Sequence, residues 1–177
     1  MSNTTKCTES ERAIIKALHN TQIWTNSIYI IASIYAIFIG QWLLGIFGIV
    51  VAIISMLHHS YNYIDAKCIM VSNHTKHTIL SDTDVIFANL LGIYGIYKIY
   101  IHDRPLSYTF IGLFTVCAIF ALILFYISSY VYEPKAEKEN INSQVYIKNA
   151  ALYEHYHGYW HIMSGACYIL TVLWLSL

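Results

Sequence analysis

The chain reads WLLGIFGIVVAIISMLHH from Trp42 to His59. This run contains no Asp, Glu, Lys or Arg, and it ends in two adjacent histidines. A transmembrane helix needs about 20 consecutive, predominantly apolar residues. The run therefore predicts a helix that crosses a membrane once and carries polar groups at one end.

The composition of the whole chain agrees with a membrane protein. Of its 177 residues, 57% are hydrophobic and only 11% are charged. Soluble domains carry about 25% charged residues, so this chain has too few to cover a water-exposed surface. The formal net charge is zero, which gives no basic footprint for a nucleic acid partner. The four cysteines form no C-x-x-C pair, and we expect no disulfide framework.

Further apolar runs lie on both sides of the first. They predict an all-α, polytopic transmembrane helix bundle of about five spans, at about 23–39, 42–59, 85–101, 106–132 and 157–177. Residues 23–177 then form a single domain. The fourth run is long enough to form one span or to bend into two short helices, and the sequence leaves both possibilities open.

Residues 1–22 form a polar leader before the first predicted span. Within it, Ile14, Ile15 and Leu18 share one helical face opposite the charged residues. This pattern predicts a short helix lying on the membrane surface.

The distribution of charge orients the predicted spans. Five spans place the leader, the 60–83 segment and the 133–156 segment on one side of the membrane. That side holds eight of the ten Lys and Arg residues, and the other side holds only Lys98 and Arg104. Cytoplasmic loops carry an excess of Lys and Arg, so we expect a cytosolic N-terminus and a C-terminus on the opposite side. The sequons at Asn3 and Asn73 should then carry no glycan.

Two pairs of polar residues stand at the ends of predicted spans. Ser55 and His59 lie four positions apart at the end of the second span, and His157 and His161 lie four apart at the start of the last. Residues at i and i+4 share a helical face. Ionisable groups at membrane depth are costly and mark functional sites by default, so both pairs are candidate site residues.

The predicted topology brings these groups to the same, cytosolic face. The second span ends there, and the third and fifth spans begin there. Asp82 and Asp84 stand at the start of the third span, where either one is a candidate for the site or for a helix N-cap. Asp84 is closer to the apolar run and is preferred. His58 competes with His59, because it is also nearly in phase with Ser55.

Three histidines gathered in this way suit a metal ion. Three neutral imidazoles and one water form a tetrahedral catalytic zinc site. Zinc lowers the pKa of its bound water to about 7. A nearby carboxylate can handle the proton, and a serine hydroxyl can stabilise a developing oxyanion. We therefore expect Zn²⁺ at His59, His157 and His161.

The order of these motifs resembles that of the CREST superfamily of membrane hydrolases, which includes the alkaline ceramidases and the progestin and adiponectin receptors. The hallmark is S-x-x-x-H, then an aspartate in the next span, then H-x-x-x-H in the last span. Here these are Ser55 to His59, Asp84 (or Asp82), and His157 to His161. The bundle would be a reduced version of the family's seven-span fold.

The resemblance implies a function and roles for the residues. It implies a zinc bound by the three histidines, with Ser55 and Asp84 around the zinc water as catalytic groups. It also implies cleavage of an amide bond in a membrane lipid such as ceramide. The alternative is a non-enzymatic, receptor-like or membrane-remodelling protein with a structural zinc. Such sites are closed by four protein ligands, and the fourth would be His58, Cys68 or Asp84.

Overall fold

The computed structural model of the chain describes residues 8–61, 63–64, 70–71, 74–102, 105–132 and 144–177. The architecture is the predicted all-α bundle. Its helices are α1 (Glu9–Thr25), α2 (Ser27–Phe38), α3 (Trp42–Tyr61), α4 (His74–Tyr100), α5 (Tyr108–Tyr126, continued by a π-helical segment, Ile127–Tyr132) and α6 (Gln144–Ser176). Two short strands, β1 (Tyr63–Ile64) and β2 (Met70–Val71), pair antiparallel between α3 and α4. The sequon asparagines Asn3 and Asn73, as well as Cys68, lie outside the described residues.

Three of the described helices are long and apolar enough to cross a membrane. They are Trp42–Ser60, Ile79–Tyr100 and Tyr108–Tyr132, with mean hydropathies of 2.0, 1.3 and 2.7. The run 106–132, whose form the sequence left open, is therefore one continuous helix. These helices support the membrane character expected from composition; the described residues contain three such helices, whereas about five spans were expected.

The first predicted span is divided between two helices. α1 continues past residue 22, where the leader was expected to end, and α2 begins at Ser27. At the junction, the side-chain amide of Asn26 donates to the carbonyl oxygen of Gln22 at 2.9 Å. α2 has 12 residues, which at about 1.5 Å per residue is shorter than the ~30 Å hydrocarbon core.

Two helices begin well before the apolar runs that predicted them. α4 begins at His74, so Asp82 and Asp84 lie in its interior and neither is an N-cap. α6 begins at Gln144, so His157 lies within a helix of 33 residues. A hydropathy profile detects only the apolar part of a helix. Polar turns that extend the helix beyond that part do not appear in the profile. Both helices therefore begin before residues 85 and 157, where the predicted spans begin.

α6 is the central helix of the bundle and packs against α1, α2, α4 and α5. α2 and α3 form a tight hairpin at Gly40, whose φ of 82° favours glycine. Close packing continues at Gly48, where an added Cβ would collide with the hydroxyls of Ser33 and Tyr168. This packing places the end of α3 beside the middle of α6.

Candidate metal centre

Three histidines from two helices meet in the interior of the bundle. His59 lies near the end of α3, and His157 and His161 lie one turn apart on α6. One ring nitrogen from each of the three lies within 4.8 Å of the others. The Nε2 atoms of His59 and His161 are 3.0 Å apart. The ring centroid of His157 lies 5.3 Å from that of His59 and 5.0 Å from that of His161.

All three histidine side chains are buried, with exposures of 1%, 6% and 2% for His59, His157 and His161. His59 and His161 are close enough to share one hydrogen bond. Both ring nitrogens of His157, however, have no hydrogen-bond partner among the described residues. A buried polar group left without a partner costs about 1–3 kcal/mol. A metal ion between the three rings would give one of these two nitrogens a partner, so the residues fit a three-histidine metal ligand set.

Asp84 and Ser55 form a buried pair beside the histidines. The Ser55 hydroxyl donates to Oδ2 of Asp84 at 3.2 Å, and these side chains are 1% and 4% exposed. Ser55 lies one turn before His59 on α3, which puts the pair next to the centre. Asp82 is exposed and lies on another face of α4. Of the two aspartates, the structure brings only Asp84 to the cluster.

His58 also belongs to the cluster, in a different place from His59. It is 4% exposed, and its ring centroid lies 4.7 Å from that of His59. His58, His59 and Asp84 form a second group whose ligand atoms all lie within 4.8 Å of one another. His59, and not His58, is the third member of the group that contains His157 and His161. His58 and His59, the two candidates from the sequence, therefore both lie in the cluster. His59 belongs to both ligand groups and His58 only to the second.

A second buried carboxylate, Glu154, was missed by the sequence analysis. It lies one turn before His157 on α6 and is 1% exposed. The side chain of Gln22 on α1 donates to its backbone carbonyl at 3.4 Å. The signal was the i, i+3 spacing to His157, which puts both residues on one helical face. The polar segment that contains Glu154 was instead taken as lying outside the bundle.

A cleft adjoins the cluster on the side of α5. α4 and α5 both pack against α6 and leave between them a space of about 340 Å³. Small residues such as Gly92 and Ala121 line its walls. Trp160 also lines it, and its ring lies 5.0 Å from His157 and 4.7 Å from His161, centroid to centroid. Trp160 therefore lies between the cleft and the two histidines of α6.

Comparisons of the chain with protein-family models, with curated proteins and with solved structures found no match. The geometry itself combines three imidazole ligands, a carboxylate held by a hydroxyl, and an apolar cleft. The histidine groups could hold a metal ion, and the cleft lies beside them at Trp160.

Proposed function

We propose that the protein is a zinc-dependent integral membrane hydrolase that cleaves an amide bond in a lipid, as the alkaline ceramidases of the CREST superfamily do. One observation carries the proposal. The buried nitrogens of His59, His157 and His161 gather next to the Ser55–Asp84 pair. This set of residue types is the one that the resemblance implied.

The ligand set suits a catalytic zinc better than a purely structural one. Catalytic zinc sites have three protein ligands and keep a fourth position for water or substrate. A zinc bound there would supply a water of lowered pKa and polarise the carbonyl of the scissile amide. Its ligands would come from α3 and α6, whose side chains meet at His59 and His161.

Asp84 and Ser55 would manage the proton and the developing charge. A carboxylate next to the water can accept a proton and return it to the leaving amine. The Ser55 hydroxyl now donates to Asp84, which fixes the orientation of that carboxylate. Once Asp84 is protonated, the Ser55 hydrogen becomes available to the oxyanion of the substrate.

The cleft supports a lipid as substrate. Its volume of about 340 Å³ is near the lower end of the ~300–1,000 Å³ typical of ligand pockets, which suits one aliphatic chain. Tyr29 and Ser164, which are hydrogen-bonded to each other at 2.7 Å, add polar groups to an otherwise mainly apolar wall. An acyl chain in the cleft would place its amide near Trp160 and the histidines.

We also propose the orientation of the chain. The N-terminus and the metal centre would face the cytosol, and the C-terminus would lie on the opposite side. The asymmetry of the Lys and Arg residues supports this arrangement.

The second candidate is a receptor-like or membrane-remodelling protein with a structural zinc and no catalysis. The burial of His58 beside His59 and Asp84 favours it, because a fourth protein ligand would close the site. The two candidates differ in whether water occupies a position on the metal.

Hydrolysis of a fluorescent ceramide by purified, zinc-loaded protein in detergent tests the proposal. We expect the wild type to release fatty acid, and Asp84→Ala to lose that activity while it keeps the zinc held by His59, His157 and His161. His161→Ala should lose both. Full activity in His161→Ala would refute zinc-dependent hydrolysis. Zinc binding in a wild type inactive on ceramide and other lipid amides would favour the structural role.

A further inference from the structure

The polar cluster contains more ligands than one zinc ion uses. Four imidazoles and one carboxylate form two groups, each with ligand atoms within 4.8 Å of one another. The first group is His59, His157 and His161, and the second is His58, His59 and Asp84. His59 is the one residue that the two groups share.

An imidazole carries two ring nitrogens, which lie on different sides of the ring. Nε2 of His59 lies 3.0 Å from Nε2 of His161 and so belongs with the first group. We propose that Nδ1 of His59, with His58 and Asp84, binds a second divalent transition-metal cation, so that the His59 ring bridges two metal ions. This inference rests on the metal-binding part of the proposed function.

The carboxylate of Asp84 is arranged to serve as a ligand. Its Oδ2 atom accepts the Ser55 hydroxyl hydrogen at 3.2 Å, which leaves Oδ1 for a cation. Carboxylates that bind metals are usually held by such a hydrogen bond. Two imidazoles and a carboxylate are a donor set that suits zinc and its first-row neighbours.

The test is a count of bound metal per chain. Purified full-length protein is stripped with a chelator, equilibrated with a small excess of Zn²⁺, desalted and analysed by mass spectrometry for zinc and by amino-acid analysis for protein. We expect two zinc ions per wild-type chain. A single zinc ion in the wild type would overturn the proposal and leave the first site intact.

Three variants separate the two sites. His58→Ala should keep one ion by losing the second site, His157→Ala should keep one by losing the first, and His59→Ala should lose both. The matched control is His155→Ala, which removes an exposed histidine from α6 and should keep two ions. Each variant must elute like the wild type and show the same helical circular dichroism.

The pattern also separates failure of this proposal from failure of the proposed function. Metal lost in His157→Ala and fully retained in His58→Ala would overturn the second site alone. The reverse pattern would overturn the first site and, with it, the hydrolase proposal.

Loading the protein with Cu²⁺ in place of Zn²⁺ tests whether the His59 ring bridges the two metal ions. Two Cu²⁺ ions joined through one imidazolate couple magnetically, so the paramagnetic resonance signal of the loaded wild type should integrate to far less than two spins at low temperature. One-copper His58→Ala should give one full spin. An undiminished two-spin signal would overturn bridging by His59.

Discussion

The Nε2 atoms of His59 and His161 lie 3.0 Å apart, although 102 positions separate the two residues in the chain. Because α3 and α6 supply these atoms from opposite parts of the sequence, the contact depends on the packing of the whole bundle. The same packing brings His157 to the pair. A metal at this point would therefore join α3 to α6.

Loss of one ligand should weaken zinc binding strongly. We expect His157→Ala to lose the ion held by the first group, because two imidazoles alone leave that site incomplete. His155→Ala is the control, since His155 is exposed and lies two residues away on the same helix. The measurement is the zinc content of the two variants, determined by mass spectrometry. Equal zinc in the two variants would contradict a site at His157.

The hydrogen bond between Ser55 and Asp84 should matter for rate more than for metal content. We expect Ser55→Ala to lower kcat about 10–100-fold, the usual effect of removing a partner that orients a group in a metal site. Zinc from the first group should remain bound. Ser60→Ala is the control, because Ser60 is exposed at the end of the same helix. An unchanged kcat in Ser55→Ala would show that the bond has no part in catalysis.

Filling the cleft should block a lipid without disturbing the zinc. An added Cβ at Gly92, which lines the cleft, meets no atom within 4 Å, so Gly92→Leu can add its side chain at the wall of the cleft without a clash at Cβ. We expect KM to rise or activity to vanish while zinc content stays unchanged. Gly112 is equally open but does not line the cleft, and Gly112→Leu should behave like the wild type. Normal hydrolysis in Gly92→Leu would place the lipid elsewhere.

The contact between α3 and its neighbours should be sensitive to one methyl group. Gly48→Ala would push on the hydroxyls of Ser33 and Tyr168 and disturb the hydrogen bond from Tyr168 to the Leu44 carbonyl, which is 2.9 Å long. Overpacking of this kind costs about 1–3 kcal/mol. Thermal unfolding in detergent should show a lower Tm for Gly48→Ala than for Gly112→Ala. Equal Tm values would mean that α3 and its neighbours can move apart far enough to accept the methyl group without a loss of stability.

The orientation can be tested through the natural sequons. With a cytosolic N-terminus, Asn3 and Asn73 stay unglycosylated in a eukaryotic host. Enzymatic removal of N-glycans should then leave the electrophoretic mobility unchanged. A shift that disappears in Asn73→Gln would show that the chain is inverted.

Much of the fold could be predicted from hydropathy, and the reason is visible in particular helices. Trp42–Ser60 and Tyr108–Tyr132 are apolar almost throughout, so their lengths were close to those expected. α4 and α6 begin in polar turns, at His74 and Gln144, that hydropathy does not register.

The candidate site was predictable where spacing carried the information. The i, i+4 pairs indicated which histidines face inward, and the order of spans indicated that they share one depth. Hydropathy could not reveal the role of His58, because adjacent residues on a helix differ in direction by about 100°, and the packing of α4 decides which of them meets Asp84. The cleft was also hidden, since it depends on a gap between α4 and α5.

The division of the cluster between α3, α4 and α6 sets an order of assembly during synthesis. His58, His59 and Asp84 leave the ribosome first, and α6 follows later. At about 5–20 residues per second, the 102 positions between His59 and His161 take roughly 5–20 s. During that interval the emerged chain contains the second group (His58, His59 and Asp84) but only His59 of the first. The three histidines of the first group can therefore meet only after α6 has been made.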